Sequence, residues 1–395
     1  MDYNYADRLK NLESNAIRAI FKLLENPEVI SFAGGMPATD CIALDLINKF
    51  SSEILQSDAG YKVLQYGGTE GYLPLRQALT KYIEKTGLKN STIDNNLIIS
   101  GGQQGIDLTF KAFINKGDCI LVEDPTYLAA LHIAKTYEAK VVGVNSDDDG
   151  INLNDLEDKI KKYSPKVIYI VPNFSNPSGK TLSYSKREDV ARLSAKYNVM
   201  VLEDDPYREL RYSNEPLPSI KSFDKCGNII YLTSFSKVVA PGLRVGAVFA
   251  DENVIKKLTI GKQATDVHTT TLSQAIVEKF IRGDVLDNLI KENVPKYKIR
   301  RDAMIDCIKK YMPDNFKFTN PDGGLFIWGN FPLNFSAKDY FKKAVEEYKV
   351  AYVCGNDFFA DGKGDNCIRL NFSNASVDKI ETGICSLGTM FKKQV

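Results

Sequence analysis

In the stretch TSFSKVVAPGLRVG, residues 233–246, Ser234 and Ser236 stand just ahead of Lys237, and Arg244 follows seven residues later. The rest is Phe, Val, Ala, Leu, Pro, Gly and one Thr, so the amine has few neighbouring charges to compete with. A lysine so placed shifts toward its neutral, nucleophilic form when it is withdrawn from water. The two hydroxyls and the guanidinium suit an oxyanion such as phosphate, with Arg244 acting as a fixed fork of donors. Taken alone, Lys237 reads as an ordinary surface lysine. Its meaning depends on what else the chain brings beside it.

Four further loops supply that company, each just after an apolar run. GGQQG follows NLIIS, and the backbone amides near Gly102 and Gln103 at the start of a helix suit a phosphate. Tyr127 follows CILVED and offers a ring to stack on a planar partner, although packing is its ordinary role. Asn176 sits in NFSNPSG, which also reads as a plain β-turn presenting an amide. Asp204 and Tyr207 follow VMVLE, and a carboxylate ending an apolar strand needs a cation or donors to offset its desolvation. One molecule uses all of these groups: a planar cationic heterocycle carrying an aldehyde and a phosphate. Lys237 is the amine for its aldehyde, and Asp204 keeps the ring nitrogen protonated so that the ring draws electrons from a neighbouring carbanion. Ser234, Ser236, Arg244, Gly102 and Gln103 take the phosphate. Tyr207 and Asn176 reach the phenolic oxygen, and Tyr127 covers the ring. That molecule is pyridoxal 5′-phosphate.

The elements that position these groups are legible as alternating short β-branched runs and helical patterns. NLIIS, CILVED, KVIYIVP, VMVLED, NIIYLTS and GAVFA read as strands of a mostly parallel mixed sheet flanked by helices. In such a sheet ligands sit at the carboxyl ends of the strands, where the candidate residues lie. Residues 271–312 turn helical, with Pro295 as an expected kink, and lead into LFIWGNF, VAYVCG and CIRLNF with helices near 337–348 and 377–392. This predicts an α/β fold with an N-terminal arm (1–45) belonging to a small α+β domain, a large domain (46–285) and the rest of the small domain (286–395). Composition is balanced, with 51 basic against 50 acidic residues, which offers no footprint for nucleic acid or an anionic membrane. No run is long and apolar enough to span a bilayer. Seven scattered cysteines without a Cys-x-x-Cys pair read as reduced thiols of a cytoplasmic protein. With two histidines, a histidine-rich metal centre or a Ser-His-Asp triad is not expected.

The order of a glycine-rich loop, Tyr, Asn-Pro-x-Gly, Asp-x-x-Tyr, Ser-x-Ser-Lys with Arg seven on, and the late arginine of CIRLNFS resembles the fold-type I aminotransferases of class I/II over nearly the whole chain. ISFAGGMPATD, LQYGGTEGYLPLR, EDDPY and SFSKVVAPGLRVG are most similar to the branch with 2-aminoadipate and kynurenine aminotransferases and the aminotransferase-like domains of bacterial regulators. Only 30 residues precede Ser31, so the winged helix of those regulators is not expected. The resemblance implies ping-pong transamination from an L-amino acid to a 2-oxo acid, 2-oxoglutarate in the first instance, with 2-aminoadipate-type or broad specificity. It implies that Arg369 grips the substrate α-carboxylate and that Gly35 lines the pocket through its backbone. It also implies that Tyr66 reaches the phosphate of a neighbouring subunit in a homodimer, and that Arg18 meets an acidic side chain, although Arg18 also fits a solvated helix face. Three departures stand out: Gly102 replaces the usual serine, NPSG replaces NPTG, and GGMP runs on as ATDCIALDLI without the usual Phe-Pro pair. Two other readings remain open, a lyase or decarboxylase using the same cofactor on the same fold and a non-catalytic sensor.

Overall fold

The computed structural model describes residues 3–10 and 26–394. Among them, strands β2 (Asn96–Ile99), β3 (Cys119–Asp124), β4 (Lys140–Asp147), β5 (Gly150–Ile151), β6 (Val167–Ile170), β7 (Met200–Asp204), β8 (Ile229–Ser234) and β9 (Gly246–Phe249) form one sheet. Its order is β2-β9-β8-β7-β6-β3-β4-β5. β8, β7, β6, β3 and β4 pair in parallel, whereas β9 runs antiparallel to both of its neighbours. The central runs VIYI and IIYL are buried throughout, which is why they lack the alternation of a strand with one wet face. Strand β4, next to the short edge strand β5, is half exposed and carries Gly143 and Asn145, and it is the strand that apolar-run reading passes over. Helices Gly102–Phe113, Leu128–Thr136 and Tyr184–Tyr197 cover the faces, each beginning just past a strand's carboxyl end or the loop that follows it.

A second, antiparallel sheet has the order β10-β11-β14-β13, from Lys317–Phe318, Phe326–Asn330, Cys367–Asn371 and Val353–Cys354. VAYVCG is not one strand. β12 (Val350–Ala351) pairs in parallel with β1 (Ile30–Ser31) and β13 pairs with β14. The break falls at buried Tyr352, whose hydroxyl donates to the Ala337 carbonyl at 2.6 Å. The helix expected near 337–348 is confined to Phe341–Glu346. The N-terminal segment is stitched into this unit, since Phe32 N–H donates to Ala351 O and Asn371 N–H donates to Phe32 O, both at 2.8 Å.

Residues 271–312 form two helices, Thr271–Ile281 and Val285–Tyr311, separated at Gly283, where φ is +70°. The second has 27 residues and runs through Pro295. At 1.5 Å per residue it is about 40 Å long, and it serves both cores. Leu286, Leu289 and Tyr297 join the core of the large sheet, while Met304, Ile305 and Ile308 join that of the small one.

Candidate active site

A cavity of about 340 Å³ opens at the carboxyl edge of the large sheet, between it and β11 and β14. Five strands each lead into one part of its wall. β2 leads into Gly102 and Gln103, β3 into Tyr127, β6 into Asn176, β7 into Asp204 and Tyr207, and β8 into Ser234, Ser236 and Lys237. Reversal of β9 brings its amino end to the same edge, and this places Arg244 there. β14 contributes Arg369, β11 contributes Phe326 and the arm contributes Gly35. Twelve expected site residues thus line one cavity although they span positions 35 to 369.

The Lys237 amine donates to the Gly35 carbonyl at 2.8 Å. Burial, and then the cations Arg369 and Arg244, draw its pKa down to about 8. Asp204 is the only acidic side chain among the cavity's lining residues, and burial pushes its carboxyl up to about 7, against a hydrogen bond that it accepts from the Tyr169 hydroxyl at 2.7 Å. Burial raises Tyr127 to about 12 and Tyr207 further still, while Asn176 hydrogen-bonds the latter. Arg369 is buried, which lowers its pKa to about 10, and it lies over the Phe326 ring at 4.4 Å. Its Nη1 donates to Asn176 Oδ1 at 2.9 Å and its Nη2 to the Ala33 carbonyl, leaving buried Nε without a partner.

At the opposite wall Ser234 Oγ donates to Ser236 Oγ at 2.9 Å. Arg244 has φ of +53° and donates through Nη2 to the Ser100 carbonyl at 3.1 Å. Gly101 has φ of +84°, and a Cβ there would collide with the Arg244 guanidinium, so a glycine is what lets the arginine approach the loop. Lys237, Arg244 and Arg369 face one carboxylate, and this excess of positive charge calls for an anionic ligand. A phosphate dianion beside Arg244 and a carboxylate beside the unpartnered Arg369 Nε would supply it. Opposite a protonated ring nitrogen the buried Asp204 would regain its charge. The donor set therefore fits pyridoxal 5′-phosphate.

Tyr66 is 82% exposed and lies apart from this cavity, against His268 with ring centroids 6.0 Å apart. Arg18 lies outside the described residues. Sequence reasoning passed over Tyr169 and the apolar wall of Met36, Pro37, Leu128 and Phe326. Tyr169 carried a usable signal, because a hydroxyl in the middle of a buried strand needs a partner.

Residues 28–387 match the family model described as aminotransferase class I and II. The chain is 40% identical to aromatic-amino-acid aminotransferase 1 of Thermococcus litoralis, covering all of this chain and 96% of the relative. It is 33% identical to 2-aminoadipate transaminase of Thermus thermophilus, covering 96% of this chain and 94% of the other. Among solved structures, Pyrococcus horikoshii kynurenine aminotransferase in complex with PMP superposes with a TM-score of 0.94 at 38% identity, covering 99% of this chain and 98% of that one.

Proposed function

The chain belongs to the class I and II aminotransferases and is a pyridoxal-phosphate enzyme that transfers amino groups, and on that premise we propose which residues do the work and on what substrates. The observation that carries the assignment is the meeting of Lys237, Asp204, Arg244 and Arg369 in one cavity. When bound, pyridoxal phosphate supplies an aldehyde that takes up the amino group and a ring that withdraws electrons from the adjoining carbon. Ser234, Ser236, Arg244 and the amides of Gly102 and Gln103 hold the phosphate. Asp204 keeps the ring nitrogen protonated, and Tyr169 orients that carboxylate. Tyr127 covers the ring face, while Tyr207 and Asn176 hold its phenolic oxygen.

Arg369 takes the substrate α-carboxylate with the fork that includes its free Nε, and in doing so fixes where the α-hydrogen points. Lys237 removes that hydrogen as a general base, a role served by an amine that is neutral above about pH 8. The amino donor leaves as its 2-oxo acid, and 2-oxoglutarate takes up the amino group in the second half-reaction. Donor specificity is broad and includes aromatic amino acids and 2-aminoadipate. Apolar Met36, Pro37, Leu128 and Phe326 support the first, and the two named relatives support both.

The working enzyme is a cytoplasmic homodimer in which Tyr66 reaches the neighbour's phosphate. Tyr61, Leu64 and Tyr66, exposed by 92%, 67% and 82%, are the apolar surface that such a contact would cover. The seven free cysteines suit a reducing compartment, and no helix among the described residues is long and apolar enough to cross a membrane. The chain divides into the arm (1–45), the large unit (46–285) and the small unit (286–395), with helix Val285–Tyr311 shared between the two cores.

Absorption spectroscopy of the holoenzyme tests the assignment. Adding 2-aminoadipate, glutamate, an aromatic and a branched-chain amino acid in turn should convert the visible band to a near-ultraviolet one, and 2-oxoglutarate should restore it. A visible band that no amino acid converts would point to a lyase or a sensor instead.

A further inference from the structure

Directly behind the phosphate wall lies a polar cluster that no step above uses. Lys262, on helix Glu252–Asp266, is 0% exposed. Its amine donates to Gln104 Oε1 at 2.8 Å, to both Asp266 oxygens at 2.9 and 3.0 Å, and to Thr269 Oγ1 at 3.0 Å. Gln104 Nε2 also donates to Asp266 Oδ2 at 2.7 Å, so three side chains are locked together. A buried ammonium is costly to desolvate, and a methionine of similar length would fill the same space without that cost. Its presence asks for a role beyond packing.

The cluster converges on Ser100, the residue that enters the Gly101-Gly102-Gln103 loop. Ser100 N–H donates to Gln104 Oε1 at 2.7 Å, and its hydroxyl reaches Asp266 Oδ2 at 2.7 Å and Thr269 Oγ1 at 3.0 Å. The Ser100 carbonyl accepts from Arg244 Nη2 at 3.1 Å. Every polar group of Ser100 is thereby committed, and the peptide leading to the loop amides has one orientation. A second observation marks the same spot. Val267, which follows Asp266, has φ of +62°, a strained conformation for a β-branched residue that persists only where its surroundings dictate it.

We infer that Lys262 and Asp266 are positioning residues for the cofactor phosphate, acting through Gln104 and Ser100 to fix both the loop amides and the Arg244 guanidinium. This rests on the reading of that wall as a phosphate cradle. Neither side chain of the pair lines the cavity.

The test compares wild type, Lys262→Met, Ser100→Ala and Ile255→Ala, the last removing a buried side chain from the same helix. Apoenzyme is titrated with pyridoxal 5′-phosphate and, separately, with unphosphorylated pyridoxal, and each apoenzyme's thermal midpoint is recorded. Lys262→Met should weaken pyridoxal phosphate binding by about 10- to 100-fold, as loss of an outer-shell partner does at metal sites, and leave pyridoxal binding unchanged. Ile255→Ala should lower the midpoint without that selective loss. Ser100→Ala, which removes only a hydroxyl, keeps the inference testable if the lysine variant does not fold, and should show a smaller selective loss. Equal losses for both ligands, or no loss in either variant, would overturn the positioning role. Failure of wild type to bind pyridoxal phosphate would overturn the cradle itself.

Discussion

Arg369 Nη1 donates to Asn176 Oδ1 at 2.9 Å, joining β14 of the small sheet to the loop after β6 across 193 residues of sequence. On the roles proposed above, the bond would tie the group for the substrate carboxylate to the group for the ring's phenolic oxygen, so that one contact would align substrate and cofactor. Arg369→Lys keeps a charge but loses the planar fork. For an amino donor it should lower kcat/KM about 100-fold or more, as truncated buried charge contacts do, while the visible absorption of bound cofactor persists. Steady-state kinetics beside a spectrum checks this, and an unchanged KM would move carboxylate binding elsewhere.

Lys237→Ala should abolish turnover with the thermal transition preserved. In the wild-type apoenzyme the amine titrates near 8, below its ordinary 10.5, because burial and two cations disfavour its charge. Its reaction with pyridoxal should therefore slow about tenfold per pH unit below that value and level off above it. Inorganic phosphate, by offsetting the positive field, should move the midpoint upward. A midpoint near 10.5 would show that the amine is not held as described.

Asp204 makes opposite demands on stability and activity. Its carboxyl titrates near 7 when folded against 3.8 ordinarily, so between those values the folded apoenzyme binds a proton that the unfolded chain lacks. This group's contribution to stability thus falls as pH rises from about 4 to about 7, and the full penalty remains above 7. Asp204→Asn should raise the apoenzyme midpoint by about 2 °C at pH 8 and by less at pH 5. The same change should cut turnover by about 100-fold or more. Calorimetry at the two pH values with matched kinetics reads both signs, and a variant that is faster or less stable would refute the role.

Subunit mixing tests the placement of Tyr66. Lys237→Ala and Tyr66→Ala chains, each impaired alone, should regain about a quarter of wild-type sites when reassociated at random, because half the molecules are hybrids with one intact site. No regain would mean that Tyr66 serves its own subunit or none.

Much of this was present in the chain itself. The residues at the strand ends are chemically unusual for their places: a carboxylate closing VMVLE, a lysine after IIYLTS, glycines after NLIIS. Local physics penalises some of these residues unless a ligand compensates them; singly most of them had an ordinary reading, and their joint occurrence pointed to one ligand. Short β-branched runs alternating with helical patterns likewise announced a mostly parallel sheet.

Other features depend on contacts that no local pattern encodes. That β9 runs backwards and so delivers Arg244 to the shared edge is a matter of pairing. Tyr169 finds Asp204 across 35 residues and Lys262 finds Gln104 across 158, each because two strands or two helices pack together. VAYVCG looks like one strand yet divides between two partners, since hydrogen bonding is decided by which edge lies alongside. Sequence alone determined which groups need an unusual environment, because desolvation and charge are properties of the side chain and its immediate run. Only the tertiary structure decided which of them share that environment, because long-range packing sets the distances over which charges and hydrogen bonds act.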